Sequence, residues 1–294
     1  MLTVGEAFDK FKSRLEITER EEKSASRRHT DIRQALVDAL GADAVADHFL
    51  TGAYRRETKT KPLRDVDIMI VLSDPSANQG DPAEALETVR AALAPIYGED
   101  RVIVDVRAVR VDFGVVISGG TSDEVVSFDV VPAVAAGADY LIPDEVLETW
   151  IRTNPKKHAK LATDANADLG GHWKPLVKMA KKWNENTGKP VATSFLLEVM
   201  ALDLVRGPWG GSWPMELRAF FASAAARIND AWPDPAGVGP NVADANESGA
   251  ASAVSALREA EAACTEAMRL ERAGRTGQAL DEWQRLFGPL FAKS

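Results

Sequence analysis

The sequence predicts an α/β (α+β) fold in which a lobe with a mixed sheet precedes a helical lobe, and three observations support this. Apolar residues recur at helical spacing up to about residue 41. Short apolar runs rich in valine and isoleucine, typical of strands, dominate from there to about residue 132. Helical patterns continue after that point. We therefore predict two domains, 1–137 and 138–294, with a cleft between them.

The elements of the first lobe follow from local patterns. Two helices lie between residues 4 and 41, and Gly41 ends the second. A helix at about 82–94 follows the first strand, and Gly119-Gly120 marks a turn between the last two strands. The candidate strands are 63–72, 101–106, 109–117 and 125–131. The predicted helices of the second lobe are 144–154, 172–186, 194–206, 216–230, 248–272 and 278–291.

Composition narrows the class of protein. The chain has 294 residues, of which 45% are hydrophobic and 27% charged, as in globular proteins. It shows neither an apolar run long enough to span a bilayer nor the features of a signal peptide, so we expect a cytoplasmic protein without membrane contact. The single cysteine, Cys264, excludes an intramolecular disulfide, and the scattered histidines argue against zinc hydrolysis.

Charge is distributed unevenly along the chain. The net charge of −9 argues against an extended nucleic-acid track. Two local basic clusters fit a small polyanionic ligand, although a solvated helix face explains each cluster taken alone. The clusters are Arg55, Arg56, Lys59, Lys61 and Arg64, and then Lys174, Lys178, Lys181 and Lys182.

Asp65 and Asp67 are the most informative residues of the chain. Side chains of a strand alternate between faces, so these two carboxylates point the same way. The run 68–72 that follows reads as a buried strand. Two like charges beside a low-dielectric core repel unless a cation lies between them, and a divalent ion with oxygen ligands is the usual solution.

A turn at Gly52-Ala53 precedes this pair. It lies between a short apolar run and a basic, helix-compatible segment. This arrangement suits a phosphate held by backbone N–H groups at a helix N-terminus. A phosphate cradle upstream of a metal-binding Asp-x-Asp predicts nucleotidyl transfer.

Asp129 is the candidate for the third carboxylate that two divalent ions would need. It lies in the run 125–132, which reads as a buried strand with one acid among apolar residues. If this strand lies beside that of Asp65 and Asp67, the three carboxylates converge at adjacent strand ends. Taken alone, Asp129 is explained equally well by pairing with an arginine or by a cap.

Together these motifs resemble a known family. The segments 52–58, 65–67 and 128–132 look like the core of the polymerase-beta-like nucleotidyltransferases. They look specifically like the CD-NTases, the bacterial relatives of cyclic GMP-AMP synthase and oligoadenylate synthase. The similarity continues towards the C-terminus through 142–158, 181–198 and 283–288.

The resemblance implies an activity, cofactors and partners. Members use two Mg²⁺ or Mn²⁺ ions to join nucleoside triphosphates, ATP among them, into a cyclic di- or trinucleotide with release of pyrophosphate. In CBASS antiphage signalling a separate effector reads that product, and some members need a HORMA-domain activator. The resemblance assigns catalysis and metal binding to Asp65, Asp67 and Asp129, and nucleotide contacts to Gly52, Ala53, Tyr54, Lys181 and Ser194.

One departure and two alternatives stay open. The family has a serine where this chain has Ala53. Backbone N–H groups can still hold a phosphate there, so we expect activity. A linear product, such as 2′-5′ oligoadenylate or that of another template-independent transfer, is the first alternative. A non-catalytic protein that kept the fold is the second, against which the three intact aspartates argue.

Overall fold

The computed structural model describes residues 2–73, 80–116 and 124–291, apart from the side chains of 245–248. The described chain forms two compact units. The sheet unit comprises Ile17–Ala159 and Ala236–Pro240. The helical unit comprises the remaining segments. Neither unit begins or ends at the domain boundary predicted between residues 137 and 138.

A seven-stranded sheet forms the centre of the sheet unit within the described residues. The strands are β1 Val45–Leu50, β2 Asp65–Leu72, β3 Val102–Asp105, β4 Ala108–Asp112, β5 Ser127–Ala136, β6 Asp139–Asp144 and β7 Thr149–Thr153. The strand order is β1-β2-β5-β4-β3, and β6 and β7 continue from the end of β5. β2 and β5 are parallel, and the other neighbouring strands are antiparallel.

The hairpin of β6 and β7 corrects the helix predicted at 144–154. The alternating, β-branched and aromatic segment Thr149–Thr153 pairs along β6, which itself pairs with the end of β5. The indole of Trp150 donates to the Gly80 carbonyl at 3.0 Å. Strand pairing therefore carries the sheet past residue 137. The predicted Gly119-Gly120 turn lies outside the described residues.

Two helices, α2 Glu19–Leu40 and α4 Pro82–Tyr97, cover one face of the sheet. The helix α1 spans Val4–Leu15, and the single turn α3 spans Gly52–Arg55. Side chains of α2 and α4 pack with fully buried strand residues such as Val66, Ile68 and Phe128 in one core. Because strand side chains alternate, the residues between these in β2 and β5 lie on the opposite face.

The helical unit has its own aromatic core. α1 belongs to it, since Phe8 packs edge-on against Trp283 with ring centroids 5.0 Å apart. Trp173 and Trp183 are also buried there. In the part of the chain that the structure describes, no helix is long and apolar enough to cross a membrane. The later helices are α5 Pro155–Asp168, which begins in the sheet unit, α6 Trp173–Asn186, α7 Ser194–Leu204, α8 Trp213–Arg227, α9 Ala250–Arg272 and α10 Thr276–Phe287.

Candidate active site

Three aspartates lie together on the face of the sheet opposite α2 and α4. In the parallel register of β2 and β5, Asp67 is directly opposite Asp129, and Asp65 is opposite Ser127. Asp65 and Asp67 are two residues apart on one strand and share a face. We call Asp65, Asp67 and Asp129 the aspartate cluster.

Backbone and side-chain bonds fix the two strand starts that carry the aspartate cluster. The buried Glu21 completes the N-terminal cap of α2 and also accepts from the amide of Leu63 at 2.7 Å. The amides of Val126 and Ser127 donate to the carbonyl of Arg64 at 3.1 and 2.9 Å. β2 and β5 therefore begin side by side, which brings Asp129 to the Asp-x-Asp pair.

The Gly52 turn lies directly against Asp67. The Thr51 amide donates to the Asp67 carbonyl at 2.9 Å, at the point where β1 passes into α3. Gly52 has a φ of +60°, and a Cβ added there would overlap the carboxylate of Asp67. Only glycine fits this conformation and this close approach.

The residues after Gly52 have distinct surroundings. The first amides of a helix have no acceptor within the helix, and in α3 these are the amides of Gly52, Ala53 and Tyr54. Ala53 presents only a methyl group. Tyr54 packs against the core shared by α2 and α4, and burial raises the pKa of its hydroxyl. This packing explains the position of the Tyr54 side chain without a stacked nucleobase.

Two cations pair with the aspartate cluster, and sequence reasoning assigned neither of them to it. Lys59 Nζ lies 2.5 Å from Asp65 Oδ2. Arg110 on β4 is opposite Asp129 in the register with β5, and its Nε donates to Asp129 Oδ1 at 3.0 Å. The alternation of buried and exposed residues along β4 could have indicated that Arg110 lies on the face of the aspartate cluster. No local sequence pattern indicates the contact of Lys59.

Electrostatics distinguish the members of the aspartate cluster. Burial raises the pKa of Asp67 to about 6; Lys59 opposes this shift, and the charges of Asp65 and Asp129 add to it. Burial also raises the pKa of Asp129, against the hydrogen bond and charge of Arg110. A cation at this position therefore stabilises the ionised form of Asp67.

The chemistry of the aspartate cluster fits a hard divalent ion, for which carboxylate oxygens are preferred ligands. Within the described ranges, no three acidic, histidine or cysteine side chains already converge in a metal-binding arrangement. Lys59 and Arg110 hold two of the three carboxylates instead. Asp65, Asp67 and Asp129 could hold such an ion once Lys59 leaves Asp65.

The predicted nucleotide contacts Lys181 and Ser194 lie in the helical unit. Lys181 on α6 is buried, and its Nζ lies 2.5 Å from Oε1 of the equally buried Glu198 on α7. Ser194 is the exposed first residue of α7. Lys174 and Lys178 are buried as well, so the second basic cluster is not a solvated helix face. A nucleotide contact for Lys181 and Ser194 stays a prediction.

A mixed sheet with the aspartate cluster on two parallel strands, beside a glycine turn, defines the class as polymerase-beta-like nucleotidyltransferases. Residues 2–166 match the family model described as SMODS, the Second Messenger Oligonucleotide or Dinucleotide Synthetase domain. The chain belongs to this family, the CD-NTases.

Known proteins agree with this membership. The chain is 33% identical over 193 residues to a cyclic AMP-AMP-AMP synthase of an Acinetobacter strain, a match that covers 62% of this chain and 52% of the relative. The chain thus spans about half the length of that curated relative.

Solved structures share the fold. One is the Escherichia coli MS115-1 CdnC:HORMA-deltaN complex, with TM-score 0.73, 18% identity and 98% of each chain covered. Another is the Vibrio cholerae di-nucleotide cyclase DncV mutant with ATP, GTP and 5MTHFGLU2, with TM-score 0.76, 12% identity, and 96% of this chain and 94% of that one covered.

Proposed function

We propose that the protein joins nucleoside triphosphates into a cyclic di- or trinucleotide and releases pyrophosphate. The observation that carries this proposal is the register of β2 and β5, which sets Asp67 opposite Asp129 with Asp65 on the same face. Membership of the CD-NTases supports the reaction class. The cyclic AMP-AMP-AMP synthase among its relatives makes ATP the first substrate to test.

The proposed roles follow the geometry. Two Mg²⁺ or Mn²⁺ ions, when bound, would supply the positive charge that neutralises the triphosphate and lowers the pKa of the acceptor hydroxyl. Asp65, Asp67 and Asp129 would hold them. The amides at Gly52, Ala53 and Tyr54 would orient phosphate oxygens. For Lys181 and Ser194 we propose contacts to the donor triphosphate, which would compete with the ion pair of Lys181 and Glu198.

The proposal extends to the biological setting. The HORMA complex of CdnC motivates testing a HORMA-domain protein as activator. We further propose that a separate effector reads the product in CBASS antiphage defence, and that the protein works in the cytoplasm, where nucleoside triphosphates are available.

The test is product identification. Purified protein is incubated with Mg²⁺ or Mn²⁺ and the four nucleoside triphosphates, labelled one at a time. Products are treated with phosphatase and identified by mass spectrometry. We expect a phosphatase-resistant cyclic product that contains adenosine, and none from Asp65→Ala.

Other outcomes separate the alternatives. A phosphatase-sensitive linear oligonucleotide would replace the cyclic proposal with the linear one. Equal turnover by the wild type and Asp65→Ala would contradict the assignment of the aspartate cluster. If neither forms product, the same assay with a HORMA-domain protein decides between a gated enzyme and a non-catalytic protein.

A further inference from the structure

Lys59 forms a partly exposed ion pair with the first residue of the aspartate cluster. It lies in the loop between α3 and β2, with its ammonium 2.5 Å from Asp65 Oδ2. The side chains of Lys59 and Asp65 are 19% and 40% exposed. Solvent reaches Asp65, so water and salt screen part of the attraction, and the pair is weaker than a fully buried one. Lys59 can therefore exchange with a cation from solution.

Arg110 differs from Lys59 in how it is held. It lies within β4, opposite Asp129; its side chain is 47% exposed, and its guanidinium bonds Asp129 while also lying 3.5 Å from Asp105. A guanidinium that bridges acids on the strands to either side keeps one partner when the other contact breaks. Lys59 reaches Asp65 from a loop through a flexible four-carbon stem. Of the two cations, Lys59 is the one that is readily displaced.

The aspartate cluster needs a cation at this position. Asp65 and Asp67 share a face of β2, and Asp129 lies opposite Asp67, so three negative charges are held close together. Lys59 offsets this repulsion for Asp67 as well as for Asp65. A divalent ion would do the same with twice the charge and with direct coordination of oxygen.

We infer that Lys59 is an internal counter-ion that occupies Asp65 in the metal-free protein and competes with a divalent ion for that carboxylate. This inference rests on the metal site of the proposed function. Its consequence is regulatory, because the strength of the Lys59–Asp65 pair sets the metal concentration at which the site fills.

Mn²⁺ binding tests the inference without any turnover. Free Mn²⁺ is followed by electron paramagnetic resonance in nucleotide-free titrations at one ionic strength. We expect Lys59→Met to bind Mn²⁺ roughly 3- to 5-fold more tightly than the wild type, the upper part of the scale for an ion pair that solvent reaches. Arg64→Met is the matched control, since Arg64 is exposed in the same loop and its loss changes the charge equally. We expect this control to stay within about twofold of the wild type, because solvent screens its charge.

The outcomes separate the inference from the proposed function. Lys59→Gln should tighten binding as Lys59→Met does, with circular dichroism to verify that both variants fold. If Lys59→Met binds Mn²⁺ no more tightly than Arg64→Met, the counter-ion role is wrong while the metal site stands. If neither the wild type nor Lys59→Met binds Mn²⁺ at millimolar concentration, the proposed metal site itself is wrong.

Discussion

Two lysine–carboxylate ion pairs, one in each unit, have the same N–O distance but differ in how far solvent reaches them. Lys59 Nζ and Lys181 Nζ each lie 2.5 Å from a carboxylate oxygen, of Asp65 and of Glu198. The side chains of the first pair are 19% and 40% exposed, and those of the second 6% and 2%. Distance alone therefore does not reveal what a pair contributes.

Solvent decides the difference between these pairs. The Lys59–Asp65 pair lies beside two further carboxylates and is partly open to solvent, so it is the weaker and more exchangeable of the two. The Lys181–Glu198 pair joins α6 and α7 in a buried environment, where removing one partner leaves an uncompensated charge. Sequence similarity pointed to Lys181 as a functional lysine, whereas the geometry also gives Lys181 a structural role and brings Lys59 to the aspartate cluster.

The largest expected effect is on stability in the helical unit. Lys181→Met should lower the free energy of unfolding by about 3–5 kcal/mol, because Glu198 is left buried without its ammonium. Urea denaturation in the presence of EDTA measures this. The double variant Lys181→Met with Glu198→Met should recover most of the loss. A loss below about 1 kcal/mol for the single variant would show that the pair behaves like an exposed one.

The next effect is pH-dependent and belongs to the sheet unit. Burial raises the pKa of Asp67 to about 6, above its unfolded value, so the protonated form is favoured by folding. Protonation of Asp67 therefore stabilises the folded state. This stabilisation is fully present below the pKa of Asp67 in the unfolded chain and is lost as pH rises through about 6. Between pH 7.5 and 5, the metal-free protein should gain about 1 kcal/mol from Asp67.

Asp67→Asn isolates this contribution, because asparagine does not titrate. The difference in unfolding free energy between the wild type and Asp67→Asn, measured by urea denaturation in EDTA, should change by that amount over the same range. A difference independent of pH would mean that Asp67 has an ordinary pKa.

A smaller effect on stability is expected when the Lys59–Asp65 pair is broken. Lys59→Met should change the unfolding free energy of the metal-free protein by no more than about 1 kcal/mol. The measurement is the same urea titration, run beside Lys181→Met. A loss as large as that of Lys181→Met would remove the contrast between the two pairs.

The smallest effect concerns the residue after the glycine turn. Ala53→Ser restores the hydroxyl that the family pattern has at this position, and Ala53 lies beside Gly52 at the start of α3. Initial rates of pyrophosphate release should stay equal or rise a few-fold. A clear loss of rate in a folded variant would contradict a phosphate contact at the Gly52-Ala53 turn.

Strong local patterns predicted much of the fold. The buried strand at 68–72 follows from its continuous apolar run, and the shared face of Asp65 and Asp67 follows from alternation. The helices α6, α7, α8, α9 and α10 follow from helical periodicity with shifted ends. The prediction failed where pairing outweighs propensity. Thr149–Thr153 becomes β7 through its pairing with β6, and the short segment Val45–Leu50 becomes β1 through its pairing with β2.

The candidate site was predictable to a similar extent. Asp65, Asp67 and Asp129 come from strand patterns, and the structure sets their strands side by side. The pairing of Lys59 with Asp65 was not predictable, because Lys59 lies in a loop whose path depends on distant contacts such as the bond from the Leu63 amide to Glu21. No local spacing encodes a contact of that kind.

The most direct test of the aspartate cluster is anomalous diffraction. Crystals grown with Mn²⁺ and a non-hydrolysable ATP analogue would locate the metal independently of activity. We predict anomalous peaks at coordination distance from carboxylate oxygens of Asp65, Asp67 and Asp129, with Lys59 displaced from Asp65. A nucleotide bound elsewhere, or Mn²⁺ peaks away from these three residues, would contradict the account.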